Sequence, residues 1–163
     1  MKFLLSVTAA CFMIISSVVS SAAYPGDSIG SAAPDFSLKD LSGGEYNLTG
    51  YKGKQAVLLF FWTTWCPYCL QKVKFLNEEY LTLEKNNIAL LAINAGEARK
   101  LVARLAGRAE IMYKVLLDER GSVSEDYRIV GVPTFILIDK KGIIRYKGNS
   151  YPQSDIESVI AQK

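Results

Sequence analysis

Residues 56–76 have the sequence AVLLFFWTTWCPYCLQKVKFL. The first seven, residues 56–62, form a continuous apolar run of β-forming side chains, which is typical of a central strand buried on both faces. Two cysteines follow, Cys66 and Cys69, and then apolar residues at a helical spacing that continues to residue 83. The cysteine pair is therefore predicted at the junction between a buried strand and the N-terminus of a helix.

This junction suits cysteine chemistry. Unpaired backbone N–H groups and the dipole at a helix N-terminus favour an anion, and the thiolate is the reactive form of cysteine. We therefore predict that Cys66, the first and more exposed of the pair, attacks a substrate disulfide and that Cys69 resolves the mixed disulfide. Pro67 suits the first helical turn because its φ is preset and it has no N–H to leave unpaired. Trp65 gives an apolar wall beside the attacking sulfur, and Tyr68 lies between the cysteines.

The composition argues against several other functions. At 163 residues the chain has room for one domain with a single core. Its formal charge of +3, with no cluster of basic residues, does not indicate a nucleic-acid partner. The chain contains no histidine, and it has no second cysteine pair that could complete a zinc site. We expect no metal and no cofactor other than the redox-active disulfide Cys66–Cys69.

Residues 1–23 are predicted to be an export signal. A positively charged start precedes an apolar run over residues 3–19, and residues 20–23 are small, as a signal peptidase requires. Cleavage after Ala23 leaves residues 24–163 as the folded domain. The alternative is an uncleaved N-terminal anchor, because about 17 apolar residues are at the lower limit for spanning a bilayer. In either case we expect the domain outside the cytoplasm, in a bacterial periplasm, with membrane contact only if the segment is retained.

Cysteine usage in an exported protein supports a redox function. Once Cys11 leaves with the signal, Cys66 and Cys69 are the only cysteines. Structural disulfides in exported proteins usually join distant segments, because closing a long loop constrains the unfolded chain most. A bridge across two intervening residues gives little of that effect, so chemistry explains this pair better than stabilisation.

A second motif precedes a predicted strand far along the chain. Residues 131–134 have the sequence GVPT, and Pro133 stands at a strand entrance, where it would normally interrupt pairing. Such a proline can be trans and purely structural. If the bond is cis, the backbone of Val132 turns outward and can hydrogen-bond an incoming peptide beside Cys66.

The remaining pattern predicts an α/β sandwich around a mixed sheet. Turn sequences at residues 42–44 and 139–142 predict two hairpins, the first of them near the start of the folded domain. Ser154 is expected to cap the last helix, with Glu157 three residues later. The predicted strands cover residues 36–38, 45–48, 56–62, 88–93, 115–117, 134–138 and 143–147, and the predicted helices after the first cover residues 97–105, 123–127 and 154 to the end.

These features together resemble the thioredoxin-like proteins of the TlpA/ResA group. The segments that carry the resemblance are residues 61–69, residues 131–135 and the leader at residues 1–23, with support from residues 33–36 and residues 116–118. The resemblance covers essentially all of residues 24–163 and implies a thioredoxin fold, with a central mixed β-sheet flanked by helices, a helical insertion near residues 95–108 and a cis-proline at Pro133. It also implies protein disulfide and dithiol substrates, a membrane-bound electron donor and a role in disulfide reduction that often serves cytochrome c maturation.

The chain departs from that family at two positions. Thioredoxins keep a buried Asp where Phe60 stands, and ResA-like proteins keep a Glu where Lys72 stands. The carboxylate that would move the proton of the second thiol is thus missing from both places, and Glu78 and Glu79 are expected to be solvated surface charges. Tyr68 cannot provide the charge assistance of a histidine between the cysteines, so we expect a reductant or an intermediate carrier rather than a strong oxidant.

Two other functions remain open from the sequence. Thr63 and Cys66 repeat the Thr-x-x-Cys pattern of thiol-dependent peroxidases of the peroxiredoxin type, but Leu59 stands where that family has a proline. A non-enzymatic thioredoxin-like carrier of copper or another metal could use the two thiolates. No His or Met lies near the motif to support it, and covalent haem attachment would need a His at Leu70.

Overall fold

The computed structural model describes residues 28–161, so the predicted export signal at residues 1–23 lies outside the described residues. The strands are β1 (Ser37–Asp40), β2 (Glu45–Asn47), β3 (Ala56–Trp62), β4 (Ile88–Ala95), β5 (Lys114–Asp118), β6 (Thr134–Ile138) and β7 (Ile144–Gly148). The helices are α1 (Pro67–Lys85), α2 (Arg99–Arg108), α3 (Ser122–Asp126) and α4 (Gln153–Ala161), and one 3-10 turn covers Thr49–Tyr51.

The seven strands form one mixed sheet in the order β2-β1-β5-β4-β3-β6-β7. β3 pairs in parallel with β4, and β4 with β5, through crossovers that contain α1 and α2. The other neighbours pair antiparallel, so hairpins close both edges of the sheet. All seven residues of β3 are buried, which confirms the central strand predicted from its continuous apolar sequence.

Strand alternation divides the core into two layers. Phe60 and Trp62 point to the face covered by α1, α2 and α4, and buried side chains of these helices pack in the same cluster. Phe61 points to the opposite face, where α3 and Phe36 complete a second cluster. The sheet thus carries helices on both faces, as the thioredoxin fold requires.

The predicted N-terminal hairpin is present. β1 and β2 pair across residues 41–44, and both the Ser42 and Gly44 N–H groups donate to the Asp40 carboxylate at 2.8 Å. Gly43 has a φ of +92°, a conformation that glycine adopts without the steric cost of a side chain. The second predicted hairpin, β6–β7, forms around residues 139–142.

Two helix boundaries differ from the sequence prediction. The helix expected at residues 97–105 covers Arg99–Arg108, because the Glu97 side chain is bonded elsewhere and the helix continues through Gly107. The last helix begins at Gln153, so Ser154 lies inside it and is not the cap. Pro152 takes that place, since its carbonyl accepts the N–H of Ile156 at 2.9 Å.

The helical insertion expected near residues 95–108 corresponds to α2, between β4 and β5. None of the helices within residues 28–161 has both the length and the apolar character needed to cross a membrane.

Candidate active site

Cys66 is the N-cap residue of α1. Its backbone is extended, with φ −88° and ψ 109°, and Pro67 is the first residue of the helix. The sulfur of Cys66 accepts the backbone N–H of Cys69 at 3.2 Å, as an N-cap side chain does for an unpaired helical donor. The local sequence accounts for this geometry, because Pro67 fits a first turn and the apolar residues that follow hold α1 against the sheet.

Cys66 and Cys69 are joined by a disulfide, with their Cα atoms 5.2 Å apart. Cys69 is fully buried at 0% exposure, and Cys66 retains 4%. Both sulfur-bearing residues are thus buried in the oxidised protein.

Large side chains on either side of Cys66 are open to solvent. Trp65 is 72% exposed and Tyr68 is 71% exposed, although apolar and aromatic residues are usually buried. Val130, two residues before Val132, is also fully exposed. An exposed apolar rim around a reactive sulfur can contact the apolar side chains of a polypeptide substrate.

The loop before β6 brings Val132 to the cysteine pair. The Val132 carbonyl oxygen lies 3.7 Å from the Cys66 sulfur, and the Val132–Pro133 peptide bond is cis. Hydrogen bonds hold this loop from both sides: the Thr134 hydroxyl donates to the Gly131 carbonyl at 2.7 Å, and the Asn149 amide donates to the Pro133 carbonyl at 2.6 Å. The two motifs that the sequence singled out, 66 positions apart, therefore meet in space.

The two positions where related proteins keep a carboxylate are occupied here by Phe60 and Lys72. Phe60 is fully buried and stacks on Phe135, with ring centroids 4.9 Å apart. Lys72 is half-buried, and its Nζ lies 5.7 Å from the Phe75 ring centroid. Glu78 is exposed and Glu79 is half-buried on the same helix.

A buried carboxylate that the sequence analysis missed lies beneath the loop that leads to Cys66. Glu97, expected in a helix, is only 9% exposed and accepts hydrogen bonds from the Thr64 N–H at 2.6 Å and the Thr64 hydroxyl at 2.5 Å. Its position offers one signal that could have found it. Glu97 follows the carboxyl end of β4, next to the carboxyl end of β3, and parallel strands bring such ends together.

Within residues 28–161, no three His, Cys, Asp or Glu side chains come together as a metal site. The reactive groups at this site are the Cys66–Cys69 disulfide and the polar groups around it. With a thiolate at a helix N-terminus, the pair can exchange disulfides with a second protein.

Comparison with known proteins agrees with this geometry. The model of the AhpC/TSA family matches residues 29–147. The thiol-disulfide oxidoreductase ResA of Geobacillus thermodenitrificans is 39% identical over 117 residues, covering 72% of this chain and 67% of its own length. The thioredoxin-like protein YneN of Bacillus subtilis is 38% identical over 122 residues, covering 71% and 68%. The crystal structure of the thioredoxin domain of a Bacteroides vulgatus thiol-disulfide oxidoreductase has a TM-score of 0.71 at 25% identity, covering 83% of this chain and 96% of that one.

Proposed function

Because the chain belongs to the AhpC/TSA family of thioredoxin-like proteins and is a thiol–disulfide oxidoreductase, we propose that it reduces protein disulfides outside the cytoplasm. The observation that carries this proposal is the placing of the disulfide. Cys66 caps α1 beside the Val132 carbonyl, whereas Cys69 is fully buried behind it.

The proposed reaction begins with the reduced pair. The Cys66 thiolate attacks one sulfur of the substrate disulfide and forms a mixed disulfide, and the other substrate sulfur leaves as a thiolate. Cys69 then loses its proton and attacks the Cys66 sulfur, which releases the second substrate thiolate and closes the Cys66–Cys69 disulfide. The substrate gains two electrons and the protein loses two, so a donor must reduce the pair again. We propose a membrane-bound protein for that step.

We propose supporting roles for the residues around the cysteines. In the loop before β6, the Val132 carbonyl, which precedes Pro133, lies beside the Cys66 sulfur and would accept a hydrogen bond from a substrate chain. Trp65 and Tyr68 would contact side chains next to the substrate cysteine. Pro67 keeps the first turn of α1 free of an unpaired N–H.

Trapping experiments test the two cysteine roles. In Cys69→Ser the attacking sulfur remains and the resolving sulfur is gone, so a mixed disulfide with a protein substrate should accumulate and be visible on a non-reducing gel. Cys66→Ser should trap none. Trapping by Cys66→Ser alone would reverse the assignment.

The reduction potential tests the direction. A value near the ~−270 mV of thioredoxin supports a reductase, and a value near the ~−120 mV of DsbA would overturn that part of the proposal. Insulin reduction by the wild-type protein, compared with hydrogen peroxide turnover in the presence of a thiol, separates disulfide reduction from the peroxidase alternative.

The extracytoplasmic location is supported by the signal-like sequence of residues 1–23. Fusing residues 1–23 to a reporter enzyme that is active only after export tests it directly. The resemblance to ResA-like proteins favours the reduction of apocytochrome c as the physiological task. Loss of haem-stained cytochrome c in a deletion strain, restored by the wild-type gene and not by Cys66→Ser, is the expected result.

A further inference from the structure

Glu97 connects the end of β4 to the loop that carries Cys66. One carboxylate oxygen accepts the Thr64 N–H at 2.6 Å and the Asn94 side-chain amide at 2.7 Å, and the other accepts the Thr64 hydroxyl at 2.5 Å. Thr64 is 33 positions from Glu97 in sequence and two positions before Cys66. A single side chain therefore fixes both the backbone and the side chain of the residue that leads into the reactive cysteine.

These contacts make Oε2 of Glu97 the acceptor of two hydrogen bonds. The Thr64 N–H and the Asn94 amide can only donate, so both need an acceptor at Oε2. Asn94 is fully buried, and its own oxygen has no hydrogen-bond partner among the described residues. The Asn94 amide is thus oriented through Glu97, and the hydrogen bonds compensate for keeping the carboxylate out of water.

Glu97 also belongs to the side of the sheet that carries the cysteines. Asn94 is the register partner of Trp62 on β3, and Trp62 packs in the same core cluster as Cys66 and Cys69. The carboxylate that Asn94 contacts is therefore near the N-terminus of α1, where a Cys66 thiolate would form.

On the basis of the proposed function, we propose that Glu97 is a positioning residue of the redox site. Its side chain holds the loop from Thr64 to Cys66 and, as a buried negative charge, keeps the reduction potential of the cysteine pair low. The redox step takes two electrons and one proton and converts the disulfide to a Cys66 thiolate and a Cys69 thiol. A nearby negative charge opposes the thiolate and so destabilises the reduced form. A less stable reduced form makes the pair a stronger reductant.

The expected change in reduction potential follows from the distance between the Glu97 carboxylate and the Cys66 thiolate. Two residues of chain and one hydrogen bond keep the carboxylate within roughly 12 Å of the Cys66 sulfur. At an effective dielectric constant of about 20, a charge at that distance changes thiolate stability about tenfold. For a two-electron couple, a tenfold change corresponds to about 30 mV.

Three variants separate charge from position. Glu97→Gln removes the charge and keeps an acceptor for both N–H donors, so its reduction potential should rise by about 30 mV, with kcat/KM for insulin within roughly threefold of wild type. Glu97→Ala also frees Thr64, so the same rise should come with at least a tenfold lower kcat/KM. Glu78→Gln removes an exposed charge further along α1 and should leave both quantities unchanged.

A Glu97→Gln potential within about 10 mV of wild type, or an equal rise in Glu78→Gln, would overturn the electrostatic role. A wild-type rate in Glu97→Ala would overturn the positioning role. If Glu97→Ala does not fold, as judged by circular dichroism, Thr64→Val replaces it, since it loses the hydroxyl bond alone. Failure of the proposed function would give a different result, because the wild-type protein itself would then not reduce insulin.

Discussion

The carbonyl oxygen of Val132 lies 3.7 Å from the sulfur of Cys66, although the two residues are 66 positions apart. This contact joins the end of β3 to the start of β6, which are antiparallel neighbours in the sheet. The sheet pairing therefore sets the position of the Val132 carbonyl relative to the Cys66 sulfur, and the side chains that hold residues 131–133 become testable parts of the proposed site.

Thr134→Val should slow disulfide reduction. The Thr134 hydroxyl donates to the Gly131 carbonyl at 2.7 Å, and valine keeps the shape while losing this bond. We expect a loss of about 1 kcal/mol in unfolding free energy and a roughly tenfold lower kcat/KM with insulin, because the Val132 carbonyl loses its support. Thr82→Val, on the exposed side of α1, is the matched control. A wild-type rate in Thr134→Val would show that the loop is held without this bond.

Trp65→Ala should weaken substrate binding while leaving the fold intact. Trp65 is 72% exposed, so its removal should change the unfolding free energy by less than about 0.5 kcal/mol. Losing about 1 kcal/mol of apolar contact with a polypeptide corresponds to a roughly fivefold higher KM, with kcat unchanged. Leu81→Ala removes a similarly exposed apolar side chain from α1 as a control. Equal KM values for the two variants would argue against an apolar substrate rim.

The centre of the fold could be predicted from the sequence because its signals are local. β3 is buried on both faces, so every residue is apolar, and the next helix begins at Pro67 and ends before Asn87, whose φ is +60°. The redox pair could be recognised for the same reason: strand, cysteines and helix follow one another without interruption.

The rest depends on contacts that no local pattern encodes. The sequence around Glu97 is typical of a helix start. Only the parallel pairing of β3 with β4 brings Glu97 to Thr64. The N-terminal hairpin could be predicted as a hairpin, but its attachment to the sheet through β1 and β5 is set by long-range register. No local sequence pattern predicts either the contact between Glu97 and Thr64 or the pairing of β1 with β5.

Asp139→Asn should lower the unfolding free energy at neutral pH and reduce its further loss as the pH falls. The buried Asp139 carboxylate accepts the N–H groups of Lys141 and Ile143 and pairs with Arg145 at 2.6 Å. Burial alone would raise the pKa of Asp139, but the Ile143 N–H and the Arg145 guanidinium together lower it. Removing the charge from this arrangement should cost about 2 kcal/mol.

The sign of the acid response follows from that lowered pKa. A carboxyl group with a depressed folded-state pKa contributes stability that is present above its unfolded value, about 3.9, and lost as the pH falls below it. Urea unfolding between about pH 6 and about pH 3 should therefore show a smaller decline for Asp139→Asn than for wild type. Asp126→Asn, at an exposed site on α3, should decline like wild type. Parallel curves for all three proteins would exclude the role of Asp139.

Buried tyrosines should make the protein sensitive to alkali. The Tyr127 hydroxyl donates to the Pro34 carbonyl at 2.6 Å, and the Tyr113 hydroxyl donates to the Val73 carbonyl at 3.2 Å. Burial raises the pKa of both Tyr127 and Tyr113, since neither phenolate could be solvated in the core. A raised folded-state pKa means that the stability is complete below the unfolded value of about 10 and is lost as the pH rises above it, because the unfolded chain ionises first.

Tyr127→Phe should lower the unfolding free energy by about 1 kcal/mol at neutral pH, because the hydrogen bond to Pro34 is lost. In urea titrations from about pH 8 to about pH 11, this variant should then lose stability less steeply than wild type above about pH 10. Tyr68→Phe, at a side chain that is 71% exposed, should follow the wild-type slope, and a Tyr127→Phe curve with that same slope would show that the buried phenol does not drive the alkaline transition.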